Sequence, residues 1–198
     1  MTGDSRLEDP VRQAVRFSLS AQHADGGWRY TPGDPGDTSQ LGWQLMALKS
    51  AELAGLPLPE ASRQGMIRFL NRVARGERGG LACYRQGREP TPTMTAEALV
   101  CRHFLGLEAN SPAAQEAVDH LMRDLPGSGS ANVYYWYYGT QVMYHMGGEH
   151  WKAWNGKLHP ILVDSQIKQG PLAGSWQPRG SGTTKSIRSG GHRSACRA

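Results

Sequence analysis

The residues able to do chemistry are few and scattered. Cys101 and His103 stand two apart, which on a helix turns them roughly 200° from one another, so they cannot chelate a metal by themselves. Cys83 could join them from the preceding loop, but a small apolar thiol and a partly buried imidazole explain these residues as well. His120, His145, His150 and His159 show no HxxxH or HExxH spacing, and no metal is assigned to them. Asp34 and Asp37 flank a Pro35-Gly36 turn, and Asp37-Thr38 reads as a helix cap rather than a catalytic pair. The carboxyl that stands out is Glu97, which precedes Ala98-Leu99-Val100 in an apolar stretch; a buried carboxyl that holds its proton there is the best internal candidate for an acid catalyst. There is no phosphate loop and no dinucleotide fingerprint, so no cofactor is expected.

The densest chemical feature is aromatic. Tyr134, Tyr135, Trp136, Tyr137 and Tyr138 are consecutive, so on a helix they surround the axis, some facing inward and others packing outward. An inward wall of this kind suits a polyisoprenoid or a cationic intermediate, because ring faces stabilise cations by ~0.5 to 2 kcal/mol each. The competing role is to fill space between two helix layers. Tyr134, Tyr135, Trp136 and Tyr138, with Trp43, are the candidate ligand-binding residues; Met46, Met143 and Tyr144 are secondary.

The elements that must position these residues read as helices throughout. Asp9-Pro10 opens a first helix carrying Val11, Ala14, Val15 and Phe17. Asp37 caps a second, in which Leu41, Leu45 and Leu48 run down one face to a stop at Gly55. A third carries Met66, Ile67, Phe69, Leu70 and Val73, and a fourth runs from about Met94 to Leu105. Ser111-Pro112 opens a fifth, with Ala114, Ala117, Val118, Leu121, Met122 and Leu125 at helical spacing until Pro126. A sixth extends from Val133 to Met146 and a seventh from about Glu149 to Lys168. The odd-numbered helices are amphipathic and the even-numbered ones apolar nearly all round, which implies an outer and an inner layer. Gly42, Ala96 and Gly139 supply small residues where inner helices would crowd. No period-2 strand pattern competes.

A weak repeat punctuates these helices. Gly26-Gly27-Trp28 returns as Gly79-Gly80-Leu81 and again as Gly174-Ser175-Trp176. Arg12, Phe17, Leu19, Gln22, Gly26 and Trp28 resemble the glutamine-tryptophan repeat of squalene-hopene cyclases and other terpenoid cyclases, relatives of protein prenyltransferase β subunits; Gln166 or Gln169 with Gly174 and Trp176 resembles a second copy. The closer resemblance is to cyclase-like proteins of bacteria, through TSQLGWQLMALKSAELAGL, TMTAEALVCR, VYYWYYGTQVMYHMGG and GSWQP in that order, and it covers roughly residues 10 to 178. It implies an (α/α) toroid, in which Gln22, Gly26, Trp28, Gly174 and Trp176 are structural residues of the repeat. The family's chemistry does not follow: the chain has no DxDD motif to protonate an alkene, no DDxxD motif and no counterpart of the prenyltransferase zinc site.

Charge and composition narrow the class further. The chain has 198 residues, 38% of them hydrophobic, and a net charge of +5. Arg179, Lys185, Arg188, Arg193 and Arg197 account for that excess, and the other 17 basic residues balance the 17 acids. A neutral body argues against nucleic-acid binding. No apolar stretch is long enough to span a membrane, Asp4, Glu8 and Asp9 occupy the place of a signal core, and three cysteines without a CxxC pair are compatible with a reducing compartment, so the expected location is cytoplasmic.

The expected fold is all-α, a partial (α/α) toroid of about three and a half hairpins spanning 10–178, after an N-terminal extension at 1–9 and before a disordered Gly/Ser/Arg-rich tail at 179–198. Relatives continue past GSWQP into another inner helix, so the tail reads as a truncation or frame shift, and an unclosed layer is expected to self-associate or to recruit a protein partner through its open edge. The leading functional expectation is a non-catalytic domain binding an apolar, isoprenoid-like ligand or a protein partner. The alternative is a fragment of a terpenoid cyclase with Glu97 as its acid.

Overall fold

The computed structural model describes residues 4–129 and 131–177, and the segment from 179 onward lies outside the described residues. The chain divides into two compact units, Met1–Val163 and Asp164–Ala198. The fold is all-α, with seven α-helices among the described residues: α1 (Glu8–Ser20), α2 (Thr38–Leu53), α3 (Glu60–Val73), α4 (Pro92–Phe104), α5 (Pro112–Leu121), α6 (Val133–Met146) and α7 (Gly148–Ser165). None is long and apolar enough to cross a membrane. The one sheet among the described residues is a two-residue antiparallel pair, β1 (Ala74–Arg75) with β2 (Leu81–Ala82), which closes the loop between α3 and α4.

Side-chain oxygens start most of these helices. Asp37, Thr91, Ser111 and Asn132 each accept a hydrogen bond from a backbone N–H in the first turn that has no partner within its helix. The first helix departs from expectation: it begins at Glu8, with Leu7 rather than Asp9 at the cap, behind a 3-10 turn (Ser5–Leu7) that Asp4 caps. Pro10 is tolerated because it falls in the first turn, where the missing N–H is one of the orphan donors in any case. Helix α5 stops at Leu121, short of Met122 and Leu125 of its apolar pattern, and α7 stops at Ser165, short of the expected end near Lys168.

Within Met1–Val163 the even-numbered helices form a row, α4 lying between α2 and α6 and packing on both, while α1, α3 and α5 pack between and behind them. Helix α4 buries nine consecutive residues, Met94 to Arg102, so it is enclosed on every side. It divides the apolar interior: Met94, Ala98 and Cys101 join Trp28, Leu41, Leu45, Met66 and Phe69, whereas Ala96, Leu99 and Val100 join Val118, Leu121, Tyr138, Met143 and Trp154. Helices α2 and α6 are not enclosed in the same way, since Trp43, Tyr137 and Tyr144 stand well exposed on them. The small residues have different partners. Gly42 faces Glu97 of α4, an inner neighbour, but the space at Gly139 is filled by the indole of Trp154 from α7.

The glycine loops share one hydrogen-bond scheme. Gln22 Nε2 donates to the Gly26 carbonyl at 2.8 Å, His23 N to Gly27 O at 2.9 Å and Gly26 N to His23 O at 2.8 Å. In the second unit, Gln166 Nε2 donates to Gly174 O at 2.9 Å, Ile167 N to Ser175 O at 2.9 Å and Gly174 N to Ile167 O at 2.8 Å. Of the two glutamines open to that role, Gln166 takes it. Gln22 also reaches the Ser62 carbonyl on α3, and the Trp28 indole, 2% exposed, donates to Ser18 O at 2.7 Å, so this loop binds α1 to α3. Trp176 is 49% exposed. The Gly79-Gly80 loop lacks the glutamine; there Glu116 of α5 accepts from the backbone N–H groups of Glu77, Arg78 and Gly80 at 2.7, 3.0 and 2.7 Å.

Gly26 has a φ of 92°, and a Cβ placed on it would overlap the Gly65 carbonyl of α3. Gly33, with a φ of 86°, has open space around it. Gly26→Ala should therefore cost roughly 3 kcal/mol or more in urea unfolding, against about 1 kcal/mol for Gly33→Ala, where only the left-handed backbone is strained. Equal costs would show that the loop does not seat closely on α3.

Candidate functional site

The site grows from Glu97, the one carboxylate on the enclosed helix α4. Its side chain is fully buried and lies against Gly42 of α2, where any Cβ would occupy the carboxyl's own place. From α6, the Tyr134 hydroxyl donates to both carboxyl oxygens at 3.1 and 3.0 Å. Burial pushes the carboxyl up to about 8. The hydroxyls of Tyr138 and Tyr134 draw it partly back, and the carboxylate of Asp37 raises it further. The Tyr138 hydroxyl is buried near the same carboxyl, without a hydrogen bond of defined geometry, and as a donor it favours the charged form. Burial, then the charge of Glu97, raises both tyrosine hydroxyls, which therefore stay neutral donors.

Rings from two helices meet beside this buried pair. Trp43 of α2 stacks on Tyr137 of α6 with centroids 6.1 Å apart and planes 20° apart, and it lies 6.3 Å from Tyr134 and 6.2 Å from Tyr138. Tyr138 meets Tyr134 and Tyr137 edge-on at 5.2 and 5.0 Å. The Tyr137 hydroxyl reaches Met46 Sδ at 3.6 Å. Trp43 and Tyr137 are 46% and 45% exposed, so the assembly has an apolar base fixed to the protein and an open aromatic surface.

Of the five residues proposed for ligand contact, Tyr134, Tyr138 and Trp43 are brought together here. Tyr135 turns toward α5 and α7: its hydroxyl donates to the carbonyls of Leu121 and Asp124 at 3.2 and 3.0 Å, and its ring meets Trp154 edge-on at 5.5 Å. Trp136 is buried in the same core and, with Tyr135, lines a cleft beside Ser128 and Asn132. Met143 is fully buried, and Tyr144, 66% exposed, packs on Trp151. Asp37 is buried as the cap of α2, accepting from Gln40 N at 2.9 Å and from the Tyr84 hydroxyl at 2.9 Å, whereas Asp34 is exposed.

One pair escaped the sequence reading. His103 on α4 and His145 on α6 have ring centroids 4.2 Å apart and line a cleft with Leu99, Val142, Met146 and Glu108. Each stands one residue before the end of its helix, and that matched position on neighbouring inner helices was the available signal. Partial burial lowers His103, and the second imidazole lowers it further. No group of three metal-ligating side chains occurs among the described residues. Cys83 and Cys101 are buried free thiols, and burial raises Cys101.

Comparison with protein-family models, curated proteins and solved structures finds no match for this chain.

Glu97 and His103 act on stability with opposite signs. Between 4.5 and about 8 the folded state holds the Glu97 proton that the unfolded chain releases, so stability falls as pH rises through that window, by an amount on the order of 4 kcal/mol. His103 is depressed below 6.5, so the unfolded chain binds the extra proton there and stability rises with pH across that lower window. Thermal unfolding from pH 5 to 9 should show Glu97→Gln gaining on the parent protein from about pH 5 to about pH 8 and levelling off above that. Parallel melting curves for the two proteins would contradict a buried, protonated Glu97.

Proposed function

We propose that this chain is a terpenoid-cyclase-like helical domain, a partial (α/α) toroid, that binds an apolar, isoprenoid-like molecule on its inner-helix aromatic face without transforming it. The observation that carries the reading is the Trp43–Tyr137 stack, half exposed and held on half-buried Tyr134 and buried Tyr138 and Glu97. Rigid rings offer large contact area with little side-chain entropy left to lose, and a neutral Glu97 adds no charge that an apolar ligand would have to displace. The alternating helix layers and the shared hydrogen-bond scheme around Gly26 and Gly174 support the cyclase-like part of the reading. Two buried free thiols fit a reducing, cytoplasmic setting.

Glu97 serves better as an anchor than as a catalytic acid. Protonating an isolated alkene takes a strong acid with access to the substrate, whereas this carboxyl is fully buried, is pushed up to about 8, and lines none of the four clefts described for the chain. Its hydrogen bond with Tyr134 fixes the rotation of α6 and with it the position of Tyr137.

Equilibrium dialysis with radiolabelled farnesol, an uncharged isoprenoid alcohol, tests the proposal. Saturable binding is expected, weakened at least tenfold by Trp43→Ala and by Tyr137→Ala and unchanged by Tyr30→Ala, which alters an exposed ring elsewhere. Equal affinity in all four proteins, or none in any, would overturn it. Release of a cyclised or hydrated product would instead favour the cyclase-fragment reading.

A further inference from the structure

A second site lies on the other side of α4, between its C-terminal turn, α3 and the start of α5. A cleft of about 410 Å³ opens there, floored by Ile67, Leu70, Leu105 and Leu107 and carrying Arg102 and Asn71. Its size falls within the range of small-molecule sites. Arg102 is the unusual feature. It is 8% exposed, with Nη1 donating to Gly79 O at 2.6 Å and Nη2 to Leu70 O at 3.2 Å. Two of its five N–H groups are thereby used, and both acceptors are uncharged.

No carboxylate among the described residues forms an ion pair with Arg102. Glu116, on the adjoining α5, is turned to the backbone N–H groups of the Gly79-Gly80 loop. The helix ends beside Arg102 offer partial negative charge only. A buried guanidinium without a counter-charge is costly to maintain, and breaking or omitting one partner of a buried pair costs ~3 to 5 kcal/mol in proteins that have it. Here the cation stands in the wall of an open cleft whose floor is apolar, and Arg78 at the rim adds positive charge without an acid among the lining residues. That combination matches an amphipathic anion: a hydrocarbon portion on the leucine floor and a carboxylate or phosphate head, which a planar guanidinium can hold with two parallel hydrogen bonds.

We propose that this cleft is a binding site for a small apolar anion whose carboxylate or phosphate pairs with Arg102. The site is separate from the Trp43–Tyr137 face and stands whether or not that face binds an isoprenoid. Isothermal titration of the full chain with octanoate, octyl phosphate, octanol, octylammonium and inorganic phosphate distinguishes the contributions. Octanoate or octyl phosphate should bind at least tenfold more tightly than octanol and octylammonium, and the stronger of the two names the head group. Arg102→Gln should abolish the preference over octanol. Because that change also removes two hydrogen bonds that join α4 to α3 and the loop, Asn71→Glu provides a second arm: it sets a negative charge at an exposed position of the cleft and should weaken anion binding at least tenfold with the melting temperature unchanged. Trp43→Ala should leave anion binding as it was. Octanol binding as tightly as the anions, an anion preference that survives both variants, or no binding by any of the five compounds would overturn the proposal and leave Arg102 as a tie between helix ends.

Discussion

The arrangement of α2, α4 and α6 turns on a carboxyl group placed where water does not reach. Glu97 is enclosed on α4, fits against α2 because residue 42 has no side chain, and meets α6 through the hydroxyl of Tyr134. Once Tyr134 points at Glu97, the helical period determines the rest of α6. Tyr138, four residues on, returns to the same face, and Tyr137 comes round to Trp43. Tyr135 and Trp136 are carried to the side where the α5 and α7 core waits. A run of five rings that could have pointed anywhere is thereby sorted into one exposed ring, Tyr137, stacked on Trp43, two rings beside Glu97, of which Tyr134 is hydrogen-bonded to it, and two buried packing rings, Tyr135 and Trp136.

The cost of this device is the burial of an acid, and the structure meets it by keeping the group protonated and hydrogen-bonded. Helix α4 can carry Glu97 and Arg102 without exposing either because its neighbours on every side are apolar or offer oxygen acceptors. The helices α1, α3 and α5 are tied on by a different means. At the Gly26 loop, a glutamine amide and an indole N–H bond to backbone carbonyls, while close packing of glycine on glycine lets the loop lie against α3. At the Gly79-Gly80 loop a carboxylate from the next outer helix replaces the glutamine and collects three N–H groups at once. Both solutions pair loop backbone groups with a side chain.

Much of this was legible in the sequence. The helical periods, the Asp37 and Ser111 caps and the limits of α6, from the residue after Asn132 to the residue before Gly147, depend on local spacing and were found where expected. Glu97 was visible as a lone acid among apolar residues. The start of α1 was misplaced because proline is equally at home anywhere in a first turn, α5 was read too long because apolar spacing continues after the backbone has left the helix, and α7 ends short of the expected Lys168. The split of the aromatic run was not legible, since rotation of a helix about its axis is set by a partner on another helix. The same holds for the His103–His145 pair and for Arg102, whose acceptors lie on α3 and in the Gly79 loop. Gly139 looked like a crossing point for inner helices and proved to be the seat of Trp154, because a missing side chain reveals a close neighbour but not which one.

The protonation state of Glu97 is the quantity on which this account rests most heavily, and the carboxyl carbon reports it directly. Protein carrying ¹³C at the glutamate side-chain carbonyl, compared with the Glu97→Gln variant to assign the resonance, can be titrated by NMR. The Glu97 signal should stand in the protonated position at pH 6 and move only as pH approaches about 8. A carboxyl that titrates with the exposed glutamates, at about 4.3, would contradict a buried neutral acid as the centre of the inner row.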